Sequence, residues 1–160
     1  MKNILYIGNA LSRSGKTKTS IETLGAFLTE ILNVKTVSNK ANKVFRLIDM
    51  ILSVLSNKSQ TDFVLIDTYS TSNFYYALVI SQLCRILQLN YIIILRGGNL
   101  ENRLNNSPIL SHLIFDNAYK LVAPSNFLKS LFKKYNFNEV IFIPNNIKIE
   151  NYKFKKRIIG

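Results

Sequence analysis

With a single cysteine, Cys84, the chain cannot close an internal disulfide, and it reads as a cytosolic protein with one free thiol. Histidine is equally scarce. His112, the sole one, falls beside Ile109, Leu110, Leu113 and Ile114 in a helical stretch, where a structural role is expected over a catalytic one. No apolar run approaches the roughly 18 residues needed to span a bilayer, and the opening MKNILYIGNA breaks at Gly8 and Asn9 too early for a secretory signal. There is no internal repeat and no low-complexity segment. Acidic residues are few: 9 Asp and Glu against 21 Lys and Arg leave a net charge of +12. Such an excess suits nucleic acid, an anionic membrane surface or acidic substrates. A background composition rich in Lys, Ile and Asn accounts for part of it by itself. No RNP motif, zinc-finger spacing or row of aromatics on a basic strand is present, so nucleic acid is not expected as a partner.

What the chain has is a core. Its 160 residues, 48% hydrophobic and 19% charged, make one globular domain. A mean hydropathy of +0.11 is high enough to imply a surface that meets a membrane, a second domain or another chain. Apolar runs at Lys2 to Ile7, Val34 to Val37, Thr61 to Asp67, Tyr91 to Leu95, Leu121 to Ala123 and Val140 to Ile143 predict strands. Between them, helices are predicted at 19–31, with Ile21, Leu24, Leu28 and Ile31 on one face, and at 42–55, 74–87 and 108–119. A last helix follows Ser125, a capping residue, with Phe127, Leu128, Leu131 and Phe132 on one face and Lys133 and Lys134 near its end. Alternation of this kind predicts an α/β fold: a doubly wound, mostly parallel, Rossmann-like sheet with helices on both faces.

The stretch from Val122, VAPSNFLKSLFKKY, and the VIFIPNNI that begins at Val140 carry a more specific signal. Strand, capping serine, basic amphipathic helix, strand and a closing Pro-Asn-Asn-Ile resemble the end of the N-terminal domain of GT-B glycosyltransferases, the retaining group called family four. The resemblance covers nearly the whole chain. It implies that 1–147 form the acceptor-side Rossmann-like domain and that 148–160 begin the linker to a donor-binding domain.

In a doubly wound sheet, ligands sit beyond the carboxyl ends of the strands. There the sequence places the loops 8–16, 67–73 and 96–103, together with Ser125-Asn126 and Asn145-Asn146. Ala10 to Thr17, ALSRSGKT, satisfies a loosened phosphate-loop pattern in which alanine replaces the first glycine; Gly15 and Lys16 are its candidate ligand residues. The Arg96-Gly97-Gly98 turn permits close backbone approach with a cation beside it, or is simply a tight turn. The resembled family commonly has histidine near this turn, where this chain has Arg96. Glu22 and Glu30 copy the spacing of that family's donor-binding glutamate pair, but they lie in the first helix and are expected to be solvated charges. The apolar helix at 42–55, with Lys40, Lys43 and Arg46 at its start, raises the question of a headgroup layer. Its expected packing face is Val44, Leu47, Ile51 and Leu55.

As the resemblance implies, the whole enzyme would move a sugar from a nucleotide-sugar donor to a surface glycan or lipid-linked acceptor. Configuration would be retained, with no metal or cofactor beyond the donor itself. Lys16, Arg96 and Arg103 are the candidate anion contacts and Asp67 and Asn73 the candidate acceptor contacts. Gly15, Gly97 and Gly98 give backbone access, and Ser125 and Asn145 complete the set. The protein would be cytoplasmic, with peripheral contact to the membrane as a further expectation. Two other readings stand beside it. One is a phosphate-loop nucleotide-binding protein using Gly15, Lys16 and Thr17; the other is a non-catalytic half that pairs with a separate donor-binding chain.

Overall fold

The computed structural model describes residues 1–12, 15 and 19–145. They form one open sheet of six parallel strands in the order β2-β1-β3-β4-β5-β6. The strands are β1 (Asn3–Ile7), β2 (Asn33–Val37), β3 (Phe63–Thr68), β4 (Tyr91–Leu95), β5 (Lys120–Ala123) and β6 (Val140–Phe142). The helices are α1 (Ser20–Leu28), α2 (Lys43–Asn57), α3 (Asn73–Ile86), α4 (Leu100–Asn106), α5 (Pro108–Phe115) and α6 (Asn126–Lys134).

Strand alternation sorts the core into two layers. Leu5, Ile7, Val64, Ile66, Ile93 and Leu95 point to one face, where α2, α3, α4, α5 and α6 pack. Ile4, Tyr6, Leu65 and Ile94 point to the other, where α1 alone of the described helices packs, through Ile21, Leu24 and Leu28. Crossover handedness explains the imbalance. Right-handed connections put a crossover helix on one face when the chain steps one way along the sheet and on the opposite face when it steps back. Only β1 to β2 steps outward in its direction; each later connection steps the other way. Among the described residues the second face of β4, β5 and β6 is therefore bare of helix, leaving a trough of about 410 Å3 between Leu24 and Leu28 on one side and Ile143 on the other, floored by Ile92, Ile94 and Val122.

Three expected details differ. The first helix ends at Leu28, because Asn33 must already pair with Asn3 in β2, and Ile31 is left exposed. α4 was not expected: only Leu100 and Leu104 of its seven residues are buried, too few to register as a period. The packing face of α2 is Arg46, Met50 and Val54, flanked by Leu47 and Ile51, whereas Val44 and Leu55 are exposed. Arg46 is the reason, since its guanidinium donates to the carbonyls of Lys40 (2.7 Å) and Ala41 (2.8 Å) and turns its own side of the helix inward. Phe127 of α6 is likewise exposed, while Leu128, Leu131 and Phe132 are buried.

Candidate functional site

Adjacent strands β1, β3 and β4 end side by side, and their last residues meet in one buried polar cluster. Asp67, near the end of β3, accepts through Oδ1 from the Tyr6 hydroxyl (3.0 Å) and from Arg96 Nε (3.0 Å), just past β4. Arg96 also donates to the Tyr6 hydroxyl at 3.4 Å and to the side-chain oxygen of Asn145 beyond β6. Its backbone amide donates to the Thr68 carbonyl, continuing the ladder. Both members of the ion pair are buried, at 5% and 6% exposure. Burial pushes the Asp67 carboxyl up, while the Arg96 charge and the hydrogen bonds from Arg96 and Tyr6 pull it down. Burial, together with the negative charge of Asp67, raises the Tyr6 hydroxyl, which stays protonated as a donor.

Around this pair lie three buried side-chain atoms without a hydrogen-bond partner among the described residues: Asn9 Oδ1, Asp67 Oδ2 and Thr68 Oγ1. Buried polar atoms are ordinarily satisfied, so three at the carboxyl ends of two neighbouring strands are a concentration of unmet acceptor capacity. Gly8 keeps the cluster open, since a Cβ there would stand 3.1 Å from Asp67 Oδ2 and 3.3 Å from Ile21. The turn after Arg96 begins in the left-handed region at Gly97 (φ +82°), and a Cβ at Gly98 would meet nothing within 4 Å, so the backbone there is accessible to a ligand.

The other residues singled out in the sequence fall as follows. Gly15 has φ +76° and donates to the Ser12 carbonyl; Lys16 and Thr17 lie outside the described residues, as do Asn146, Ile147 and the segment 148–160. Asn73 opens α3, half-buried. Arg103 is held by the Ser70 carbonyl (Nε at 2.7 Å) and stacks over the rings of Phe74 and Tyr75, bracing the β3–α3 loop against α4. The Ser125 hydroxyl caps α6 by accepting from the Leu128 amide at 3.2 Å. Asn145, through Arg96, is the residue that ties β6 to the central cluster. His112 sits half-exposed on α5, Nδ1 3.1 Å from the Asp116 carboxylate and its ring against Phe137.

Sequence reasoning missed Tyr6, Asn9 and Thr68, and it misread Glu22. Tyr6 alternates in a buried strand like any core aromatic, and only its partner shows what the hydroxyl is for. Glu22 is more than a solvated charge: Oε2 accepts from the Thr19 amide (3.0 Å) at the start of α1, and Oε1 accepts from the hydroxyl and amide of Ser12. The Thr19-x-x-Glu22 spacing of a capping box was the available signal. Among the described residues no cluster of His, Cys, Asp or Glu could hold a metal ion, and no helix is long and apolar enough to cross a membrane. A larger cleft, about 640 Å3, runs along edge strand β2 between α1 and α2, away from the Asp67–Arg96 pair.

No protein-family model and no curated protein matches the chain. Among solved structures it matches a co-structure of S. aureus MnaA with UDP, with a TM-score of 0.60 and 15% identity. The match covers 96% of this chain and 48% of that one, so the chain spans about half the length of the structure it matches. At that identity the likeness is one of fold.

Proposed function

We propose that the chain is the acceptor-side half of a two-domain GT-B-type enzyme acting on a nucleotide sugar, and in its most specific form a retaining glycosyltransferase. One observation carries the reading: nearly the whole chain matches half of a protein seen with UDP. The polar cluster supports it, standing at the carboxyl edge where α/β sheets of this kind bind ligands. In this reading the bond from the anomeric carbon to the diphosphate breaks while one to an acceptor hydroxyl forms, and the hydroxyl proton leaves with the diphosphate. The backbone amides of Gly97 and Gly98, with Lys16, meet the developing diphosphate charge; donors fixed in advance lower the barrier because they need no reorganisation. Arg96, its charge already balanced by Asp67, positions the turn that presents those amides. The buried oxygens of Asn9, Asp67 and Thr68, unpartnered among the described residues, are the acceptors proposed to meet sugar hydroxyls.

Two further readings share part of this support. An enzyme that alters the sugar of a UDP-sugar in place would use the same edge. So would a phosphate-loop nucleotide-binding protein, a reading favoured by the closeness of Asp67 to Gly8. Titrating the 15N-labelled chain with UDP and UDP-sugars is expected to shift the amides of Gly8, Asn9, Gly97 and Gly98 weakly but saturably. Absence of shifts at these positions would overturn the proposal, and tight Mg-ATP binding abolished by Lys16→Ala would replace it with the phosphate-loop reading. With the complete protein, a new glycosidic bond in the product identifies transfer, and an altered UDP-sugar identifies chemistry in place.

A further inference from the structure

The edge of the sheet at β2 is open, and we infer that an extended segment of another protein adds to it as a further strand, carrying an acidic residue opposite Lys35 and a basic residue toward Asp49. The inference does not depend on the reading of the carboxyl-edge loops. Among the described strands β2 pairs with β1 alone, and the register shows which of its backbone groups are engaged. The Asn33 amide donates to the Lys2 carbonyl and the Val37 carbonyl accepts from the Gly8 amide, so Asn33, Lys35 and Val37 turn their backbone groups toward β1. By alternation, the amides and carbonyls of Val34 and Thr36 turn outward. They face the cleft of about 640 Å3 that runs along this edge, and both residues line it. Its walls leave room for a strand. On one side Gly25 lets α1 press close, since a Cβ there would stand 2.9 Å from Thr36 Cγ2, and the neighbouring wall residues Ala26 and Thr29 are short. On the other side α2 contributes Asp49 and Ser53 rather than its large apolar residues. β2 has no proline and its register with β1 is unbroken, so two of the devices that close a sheet edge are missing from it.

Charge chooses the occupant. Lys35 is exposed in the middle of β2 on the α2 side, its Nζ 3.2 Å from Asn57 Oδ1. A second copy of β2, paired antiparallel so that Val34 and Thr36 use all their outward groups, would set Lys35 directly against its own counterpart, and like charges so placed repel. A carboxylate on a different strand would meet it instead. Asp49 stands about two turns before Asn57 on α2, half-buried and without an ion-pair partner among the described residues. It disfavours a polyacidic segment. Side chains on one face of a strand recur at every second residue, so the α2 face of the added strand presents acid at Lys35 and base toward Asp49, while its other face lays valine-sized side chains against Gly25 and Ala26.

The probe is the capped peptide acetyl-Thr-Lys-Val-Glu-Val-Lys-Thr-amide, which presents Glu between two Lys on one face in either strand direction. Its charge-inverted control is acetyl-Thr-Glu-Val-Lys-Val-Glu-Thr-amide. Titrated into the 15N-labelled 160-residue chain, the first is expected to bind saturably and about threefold or more tighter than the control, although net charge alone would favour the control on a molecule of charge +12. In amide exchange with saturating peptide, Val34 and Thr36 should gain about tenfold or more protection, whereas Asn33, Lys35 and Val37, already bonded to β1, should change little. Thr36→Pro removes an outward donor where an edge strand tolerates proline, and should weaken binding about fivefold or more. Lys35→Glu should reverse the preference between the two peptides, and reads the same edge if the proline variant fails to fold. Absence of saturable binding, equal binding of the two peptides, or protection without the alternation overturns the inference. So does protection of Val34 and Thr36 in the free chain equal to that of Lys35, which would mean that a second copy or another part of the chain already covers the edge.

Discussion

At the scale of the residue, Asp67 and Arg96 decide how the carboxyl edge behaves. Truncating one member of a buried, hydrogen-bonded pair leaves the other charge without a partner, which costs about 3 to 5 kcal/mol, whereas replacing both with groups of similar shape is close to neutral. Asp67→Ala is therefore expected to lose that much in urea denaturation, and Asp67→Leu with Arg96→Met to recover most of it. Equal losses in both variants would mean that Tyr6 and Asn145, rather than the pair, hold the cluster together. The two residues were legible singly, one at the end of a predicted strand and the other before two glycines, because polar residues interrupting apolar runs stand out. Their union was not. They are 29 residues apart, and only the neighbouring of β3 and β4 brings them to 3.0 Å.

Elements were legible wherever apolar residues recur often enough to set a period, and obscure where they do not. All six strands and five of the helices announce themselves in this way, while α4 offers just two buried leucines in seven residues. α2 was visible as a helix but its face was read only in part: Leu47 and Ile51 pack on the core as expected, whereas Val44 and Leu55 face out and Arg46 faces in with Met50 and Val54, because apolar residues lie on both sides and residue type alone does not rank the faces. α1 offers a test of its own. Its start is tied to the β1–α1 loop through Glu22, whose carboxyl is held below its ordinary value by hydrogen bonds from Ser12 and Thr19 that outweigh its partial burial. A carboxyl lowered in the folded state binds fewer protons there than in the unfolded chain. It contributes stability above its ordinary value near 4.5, and that stability is lost as pH falls through the lowered value. Glu22→Gln is expected to be less stable than wild type at neutral pH, with the difference shrinking below about pH 4 in thermal melts across the acid range. A difference constant with pH would assign the loss to the cap geometry and not to the charge.

Over the whole molecule, the doubly wound reading rested on the alternation of strands with helices along the sequence, whereas the order β2-β1-β3-β4-β5-β6 was not read from it. The trough opposite α3, α5 and α6 was not readable, because a strand bare on one face and a strand buried on both are equally apolar in sequence. The same one-way march has a temporal meaning. β1, the first of the six strands in sequence, lies one strand in from the β2 edge, and from β3 onward each strand adds to the edge its predecessor left open, while each helix closes over the face just extended. Assembly can thus proceed in step with synthesis, since every pairing after β3 joins neighbours in the chain and closes short loops early. Amide exchange should preserve the record: slowest in β1, β3 and β4, intermediate in β5, and fastest in the three-residue β6. A flat profile across the strands would mean that the sheet opens as one unit. A graded one would make the chain a structure that grows at one edge, its earliest strands the last to let go.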